Sequence, residues 1–188
     1  PPDVVEIHPP FKDYCSNFHD FMEVFLPFED LIKNKYSNSL TVIENRVGTL
    51  YPGNFLLENK NDIVDLLQLI SKSQSSLKLV LDIPQFLSTF GNKYRMDINE
   101  IIQSFEYFSE YKHLIKGVHI WGRRGRAHIG DLNSLFFDDP ELKTNFLRFL
   151  SSFFDDGITR LLVPEINGTP QTIFDNILED LKKFLEFI

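Results

Sequence analysis

Four residues of the types that bind divalent metal ions stand at the ends of four short apolar runs. They are Glu44, Asp82, His119 and Glu165, and each is followed within three residues by Asn, Gly or Pro. Such a run is typical of a buried strand that delivers its last side chain to the carboxyl rim of a parallel sheet, where α/β enzymes keep their active sites. Three carboxylates and one imidazole form a hard, oxygen-rich ligand set. The expected cofactor is therefore a divalent metal ion (Mn, Zn or Mg) rather than a structural zinc.

Strands and helices alternate along the chain and would position these four residues. Five strands are predicted, at residues 4–8, 40–44, 77–82, 115–119 and 161–165. Five helices are predicted between and after them, at residues 17–35, from a cap at Asn61 onward, 97–111, 140–154 and 172 to the end. Pro27 should kink the first helix or split it in two. Residues 84–95 should form a loop. This alternation indicates βα units and a parallel sheet.

The length limits which parallel α/β fold the chain can form. An eight-unit (β/α)8 TIM barrel typically needs about 250 residues, and the chain has 188. Five to six βα units in one domain, residues 1–188, are compatible with a partial TIM-type barrel, a fragment of one, or an open doubly wound sheet. The opening Pro1-Pro2-Asp3, which runs straight into a strand, suggests the C-terminal part of a larger barrel. An exposed strand edge should then be covered by self-association or by upstream chain.

Composition excludes several classes of protein. The net charge is −8 and the pI about 5.1, so the basic surface of a high-affinity, non-specific nucleic-acid binder is missing. This weakens a nucleic-acid function without excluding it, because an acidic enzyme can carry local basic loops. Cys15 is the only cysteine, which excludes an intrachain disulfide and a cysteine-based zinc site and favours a reducing, cytoplasmic setting. No apolar run approaches the roughly 20 residues of a membrane span, so a membrane partner is not expected.

Short motifs around the four strand ends resemble those of the xylose-isomerase-like TIM barrels, a superfamily that includes endonuclease IV, sugar isomerases and ketose epimerases. The motifs are Glu6–Pro9, Ile43–Arg46 with Gly48, Leu81–Gln85, Gly117–Ile120, His128–Gly130 and Pro164–Ile166. In local pattern the chain is most similar to endonuclease IV (AP endonuclease family 2). The resemblance implies a partial TIM barrel and a metal ion held by Glu44, Asp82, His119 and Glu165. His8 falls where endonuclease IV has a histidine that serves a neighbouring metal.

Departures from the endonuclease IV pattern bear on the number of metal ions. Gln85 stands where that family has a third-site histidine, and Arg124 and Arg126 stand at the positions of an Asp-x-His pair. An arginine cannot lose its proton to bind a metal. The sequence therefore supports one metal ion, leaves a second to His8, and argues against a third.

The basic stretch of Arg123, Arg124 and Arg126, with Trp121 beside it, is a candidate for substrate binding. Guanidinium groups next to a metal centre can grip a phosphate or a carboxylate bidentately. The alternative is a solubilising loop, and Arg46 has the same two interpretations. Glu6 alternates with apolar residues, so it could point into the barrel, although a solvated or salt-bridged strand residue is the plainer expectation.

Three functions remain open from the sequence. The leading one is a divalent-metal-dependent hydrolase of the endonuclease IV type that acts on a phosphodiester, with DNA as the expected partner. Glu44 or Glu165 would then act as general base as well as ligand. The second is a single-metal sugar isomerase or epimerase in which the same two glutamates move a proton between adjacent carbons. The third is a barrel without catalysis that serves as a binding module, which the missing ligands favour.

Overall fold

The computed structural model describes residues 2–48, 54–90, 98–120, 122–124, 127–129 and 139–164, and seven helical residues between 171 and 182. For 122–124 and 127–129 only the backbone is described. The strands are β1 (Val4–Ile7), β2 (Leu40–Glu44), β3 (Lys78–Asp82), β4 (Ile115–Ile120), β5 (Gly122–Arg124), β6 (Ala127–Ile129) and β7 (Leu161–Pro164). The helices are α1 (Phe18–Lys35), α2 (Lys60–Lys72), α3 (Ile83–Ser88), α4 (Ile98–Glu106), the 3-10 helix Ser109–Leu114, and α5 (Pro140–Phe153).

Five strands form one parallel sheet that curls into half a barrel, in the order β1-β2-β3-β4-β7. Asp82 is paired with His119 across β3 and β4, and His119 with Val163 across β4 and β7. Because all five strands run in one direction, their carboxyl ends meet at one rim. The partial TIM barrel that the sequence predicts is therefore confirmed. In the described part of the chain β1 and β7 are the edge strands.

The two faces of the curled sheet carry different side chains. Ile43, Leu81 and Ile120 belong to the hydrophobic core that the helices cover. Side chains along a strand alternate between faces, so Glu44, Asp82 and His119 lie on the opposite, concave face. A strand buried on both faces explains why these runs are largely apolar up to the polar residue near their end.

The core outside the sheet is rich in phenylalanine. Phe86, Phe105, Phe108 and Phe146 are each fully buried. The Phe105 ring packs edge to face against Phe86 at 5.5 Å and against Phe149 at 5.2 Å between ring centroids. Such ring pairs add about 0.5–1.5 kcal/mol beyond the area that they bury. They hold α3, α4 and α5 against one another.

Several boundaries differ from the sequence predictions. The cap of α2 is Asn59, not Asn61, because Asn59 and Asp62 form a reciprocal capping box. The predicted loop 84–95 begins as α3, which the Asp82 carboxylate caps. The predicted helix 97–111 ends at Glu106 and continues as the 3-10 helix. α1 is not split: Pro27 lies inside one helix.

A hairpin was missed in the Gly/Arg-rich stretch that follows β4. β5 and β6 pair antiparallel, with Arg123 opposite His128. Three-residue strands without an apolar pattern give too weak a periodic signal to be predicted. Within the described residues, no helix is both long enough and apolar enough to cross a membrane.

Candidate metal centre

The centre is built around His119, whose side chain is 3% exposed at the end of β4. Its Nδ1 lies 3.1 Å from Oε1 of Glu44 at the end of β2. The two strands are separated by β3, so the curl of the sheet brings their side chains together across the concave face. Glu44 is 4% exposed. This carboxylate–imidazole pair is thus shielded from water, and its electrostatic interactions are correspondingly strong.

Glu6 of β1 completes a three-residue cluster with Glu44 and His119. Its Oε2 lies 3.2 Å from Nε2 of His119, and its side chain is 33% exposed. One ligand atom from each of the three residues lies within 4.8 Å of the other two. From the sequence we expect Glu6 to be a solvated or salt-bridged strand residue, and Glu6 does pair with His119. The period-two alternation with Val5 and Ile7 was the only sequence signal for its position on the concave face.

Asp82 lies beside this cluster and has a structural task as well. Its Oδ1 accepts a hydrogen bond of 2.8 Å from the backbone N–H of Gln85, which caps α3. Its side chain also shares a hydrogen bond with Glu44. The cap fixes the carboxylate at the rim, because the strand passes directly into the helix.

Burial raises the pKa of Glu44, but hydrogen bonds from His119 and Asp82 and the nearby charge of His119 outweigh it and hold that pKa below its usual value. The carboxylate therefore stays ionised in a buried position. Such a group needs a cationic partner or several hydrogen bonds.

Asn45 and Gln85 hold the backbone around the centre and were not predicted to do so. Asn45 is fully buried. Its Oδ1 accepts from the backbone N–H of Asp82 at 2.8 Å, and its Nδ2 donates to the carbonyl of Asp82 at 3.2 Å. Gln85 Oε1 accepts from the backbone N–H of Val47 at 3.2 Å. Gln85 thus ties down the loop that follows β2.

His8 and Arg46 lie at the mouth of the centre. His8 Nε2 is 3.2 Å from Oε2 of Glu44, and the His8 side chain is 56% exposed. One guanidinium nitrogen of Arg46 lies 2.8 Å from Nε2 and 2.9 Å from Nδ1 of the same ring. The guanidinium carbon of Arg46 is also 5.7 Å from the centroid of Phe55. The structure therefore places His8 beside Glu44. It also places the Arg46 guanidinium beside His8, although the sequence left two interpretations open for Arg46.

The remaining predicted site residues lie outside what the structure describes. Glu165, Trp121 and Arg126 are not among the described residues. The described part of Arg123 and Arg124 is their backbone on β5. The roles assigned to these five residues as ligand, base or substrate contacts stay predictions. β7 ends at Pro164, next to Glu165 in the chain and paired with Ile120 of β4.

Solved structures with the same architecture include two functionally different enzyme types. One is a D-tagatose 3-epimerase-like protein, with 18% identity, a TM-score of 0.61, and coverage of 97% of this chain and 62% of that one. The other is endonuclease IV from Thermus thermophilus, with 17% identity, a TM-score of 0.59, and coverage of 99% of this chain and 62% of that one. The chain has the TIM-barrel fold of these structures, as a partial barrel. No family model and no curated protein matches its sequence.

The chain spans about three-fifths of the length of these two structures. Identities below one fifth carry the fold and not the activity. The two matches are nearly equal in TM-score, although one protein is named for a sugar and the other for nucleic acid. What the site does must therefore be argued from its own side chains.

The donor set fits a divalent ion. Glu6 and Glu44 offer carboxylate oxygens, His119 offers imidazole nitrogens, and Asp82 lies adjacent. Carboxylates crowded at a buried rim repel one another unless a cation lies between them. Hard oxygens with one imidazole suit Mn, Mg, Zn or Fe.

Proposed function

We propose that this chain is the metal-binding part of a divalent-metal-dependent hydrolase that acts on a phosphodiester, with nucleic acid as the substrate class. The observation that carries the proposal is the convergence of Glu6, Glu44 and His119 within 4.8 Å at the carboxyl rim of a parallel barrel. Glu44, His119, Glu6 and Asp82 would hold the ion, with Glu165 as a further ligand. When bound, the ion supplies a Lewis acid that polarises a phosphoryl oxygen and makes water more acidic.

The chain's own residues account for the proton and charge steps of such a hydrolysis. A water molecule attacks phosphorus, and one P–O ester bond breaks. Glu44 remains ionised in its buried position, so it can accept the proton that the attacking water loses. Arg46 and His8 lie at the exposed mouth of the site, where they would meet the substrate's negative charge.

Hydrolysis of bis-p-nitrophenyl phosphate and nicking of abasic duplex DNA, each with Mn²⁺ or Zn²⁺, test the proposal. We expect metal-dependent cleavage that falls by about 100-fold or more in Glu44→Gln, the range by which general acid–base groups accelerate reactions. Glu100→Gln, an exposed glutamate on α4, is the matched control and should keep full activity. Equal rates for the wild-type chain and Glu44→Gln would contradict the proposal.

Sugar isomerisation or epimerisation is the second candidate, because a D-tagatose 3-epimerase-like protein matches the fold as well as endonuclease IV does. Glu44 and Glu165 would then remove and return a proton at neighbouring carbons. This chemistry predicts that a ketohexose such as D-tagatose takes up deuterium at a carbon position in D₂O with Mn²⁺. Nuclear magnetic resonance detects that exchange, which a phosphodiesterase would not catalyse.

A further inference from the structure

The guanidinium of Arg46 lies against the ring of His8, the residue that a second metal ion would need as a ligand. A metal held by His8 Nε2 would sit about 2.0–2.2 Å from that nitrogen. One guanidinium nitrogen of Arg46 already lies 2.8 Å from Nε2 and 2.9 Å from Nδ1. Two cations this close would repel each other, so Arg46 in this arrangement disfavours an ion on His8.

Three hydrogen bonds fix the backbone of Arg46 and of the two residues that follow it. The N–H of Arg46 donates to the carbonyl of Leu57 at 2.8 Å. The next two N–H groups donate to side chains, Val47 to Gln85 at 3.2 Å and Gly48 to Glu58 at 3.2 Å. Arg46 therefore projects from a fixed segment, and it follows the ligand Glu44 by two residues.

An aromatic pair supports the other side of the guanidinium. Phe55 lies 5.7 Å from the guanidinium carbon of Arg46 and stacks on Phe11, with ring centroids 4.3 Å apart and planes at 21°. A cation over an aromatic face is attracted by the ring and limited in its motion. Arg46 is thus oriented before any ligand arrives, with His8 on one side and Phe55 on the other.

We propose that Arg46 replaces a second metal ion: it is the fixed positive charge that binds an oxyanion of the substrate beside a single divalent ion. The inference rests on the proposed function and names one of its substrate-binding residues. The planar guanidinium can donate two hydrogen bonds to two oxygens of one phosphate. The substrate class is accordingly a phosphate ester, another oxygen of which would face the ion that Glu44 and His119 would hold.

Mn²⁺ and inorganic phosphate are the probes that test this assignment, and calorimetry with equilibrium dialysis measures them without any turnover. The wild-type chain should bind one Mn²⁺. Arg46→Gln should keep the first Mn²⁺ with similar affinity, but should bind phosphate about tenfold more weakly or worse in the presence of that ion. Arg46→Lys should recover part of that loss, because lysine keeps the positive charge but lacks the planar guanidinium with its two parallel donors.

Lys60→Gln is the matched control, since Lys60 is also a cation over a ring, 4.8 Å from the centroid of Tyr107. It should leave phosphate binding unchanged. Circular dichroism melting confirms that each variant is folded. Equal phosphate affinity in Arg46→Gln and wild type, or two Mn²⁺ ions in the wild type, overturns the inference while the proposed function stands. No Mn²⁺ binding at all overturns both.

Discussion

The side-chain amide of Asn45 brackets the backbone of Asp82, accepting from its N–H at 2.8 Å and donating to its carbonyl at 3.2 Å. The last paired residues of β2 and β3 are Glu44 and Val80. Beyond that pair, the side-chain amide of Asn45 makes the hydrogen bonds to the β3 backbone that a strand backbone would otherwise make. The bracket sets the spacing between Glu44 and Asp82, which lie on neighbouring strands.

Replacing Asn45 with alanine should lower both stability and metal affinity. Two buried backbone groups of Asp82 would lose their partner, at a cost of about 2–4 kcal/mol. Asn45→Asp should bind metal no better than the alanine variant, because it cannot donate to the Asp82 carbonyl. Urea unfolding and Mn²⁺ titration measure the two effects, with the exposed Asn61→Ala as control. A stable Asn45→Ala chain with unchanged Mn²⁺ affinity would rule out this positioning role.

Gly117 leaves room for Val80 on the concave face, two residues before His119. A Cβ at Gly117 would lie 3.0 Å from Cγ2 of Val80 and 3.5 Å from Cβ of Leu161. Gly117→Ala should therefore destabilise the sheet by about 1–3 kcal/mol, the usual cost of overpacking. In a Val80→Ala background the same change should be close to neutral, because the crowding atom is gone. A thermal double-mutant cycle with no coupling between the two positions would contradict this packing.

Glu29 fastens α1 to the segment before β3 and should make stability depend on pH. Its Oε1 accepts from the N–H and hydroxyl of Ser76 at 2.8 and 2.6 Å, and Lys33 pairs with Oε2 at 3.3 Å. Burial raises the pKa of Glu29, but the bonds from Ser76, Lys33 and Ser75 outweigh it and hold that pKa below the usual 4.5. A lowered folded-state pKa means stability that is present above pH 4.5 and lost as the pH falls below it.

Glu29→Gln should thus cost about 1.5–3 kcal/mol at pH 7 and much less at pH 3. The exposed neighbour Asp30 supplies the control, as Asp30→Asn. Unfolding free energies from urea titrations across this range give the comparison. If the free-energy cost of Glu29→Gln is the same at pH 7 and pH 3, the ionised form of Glu29 does not provide this stabilisation.

Arg160 joins the start of β7 to the start of β4 and depends on Asp156. It donates to the carbonyls of Ile115 and Lys112 at 2.9 and 3.0 Å and makes a bidentate pair with Asp156 at 2.7 Å. The hydrogen bonds from Arg160 lower the pKa of Asp156 from 3.8 to about 2. Its stabilisation is complete above pH 3.8 and disappears as the pH falls to about 2. Asp156→Asn should cost about 1–2 kcal/mol at pH 7 and little at pH 2, measured by calorimetric melting.

The sequence predicted the strands far better than the loops, for a physical reason. β2 has the predicted bounds, and β3 and β4 differ from prediction by one residue at one end, because a largely buried parallel strand is a largely apolar run. The structure describes three of the four predicted metal ligands. Glu44 and His119 are in contact, and Asp82 lies beside them. The fourth, Glu165, is outside the described residues.

Residues that act through the curl of the sheet could not be predicted from the sequence. Glu6 reaches His119 although β1 and β4 are separated by two strands. Asn45 follows Glu44 as an ordinary loop residue would, and its role depends on where the backbone of β3 passes. Arg46 resembles any solvated charge until His8 and Phe55 are seen on either side of it. Such contacts are set by tertiary geometry, which local patterns do not encode.

Anomalous diffraction from Mn²⁺-soaked crystals tests the central claim of a metal centre most directly. We predict one peak at the carboxyl rim, about 2.0–2.3 Å from a carboxylate oxygen of Glu44 and a ring nitrogen of His119. The peak should vanish in Glu44→Gln/His119→Ala and persist in the exposed control His113→Ala. Ordered crystals soaked in millimolar Mn²⁺ that show no peak there, or a peak that neither Glu44 nor His119 contacts, would contradict the account.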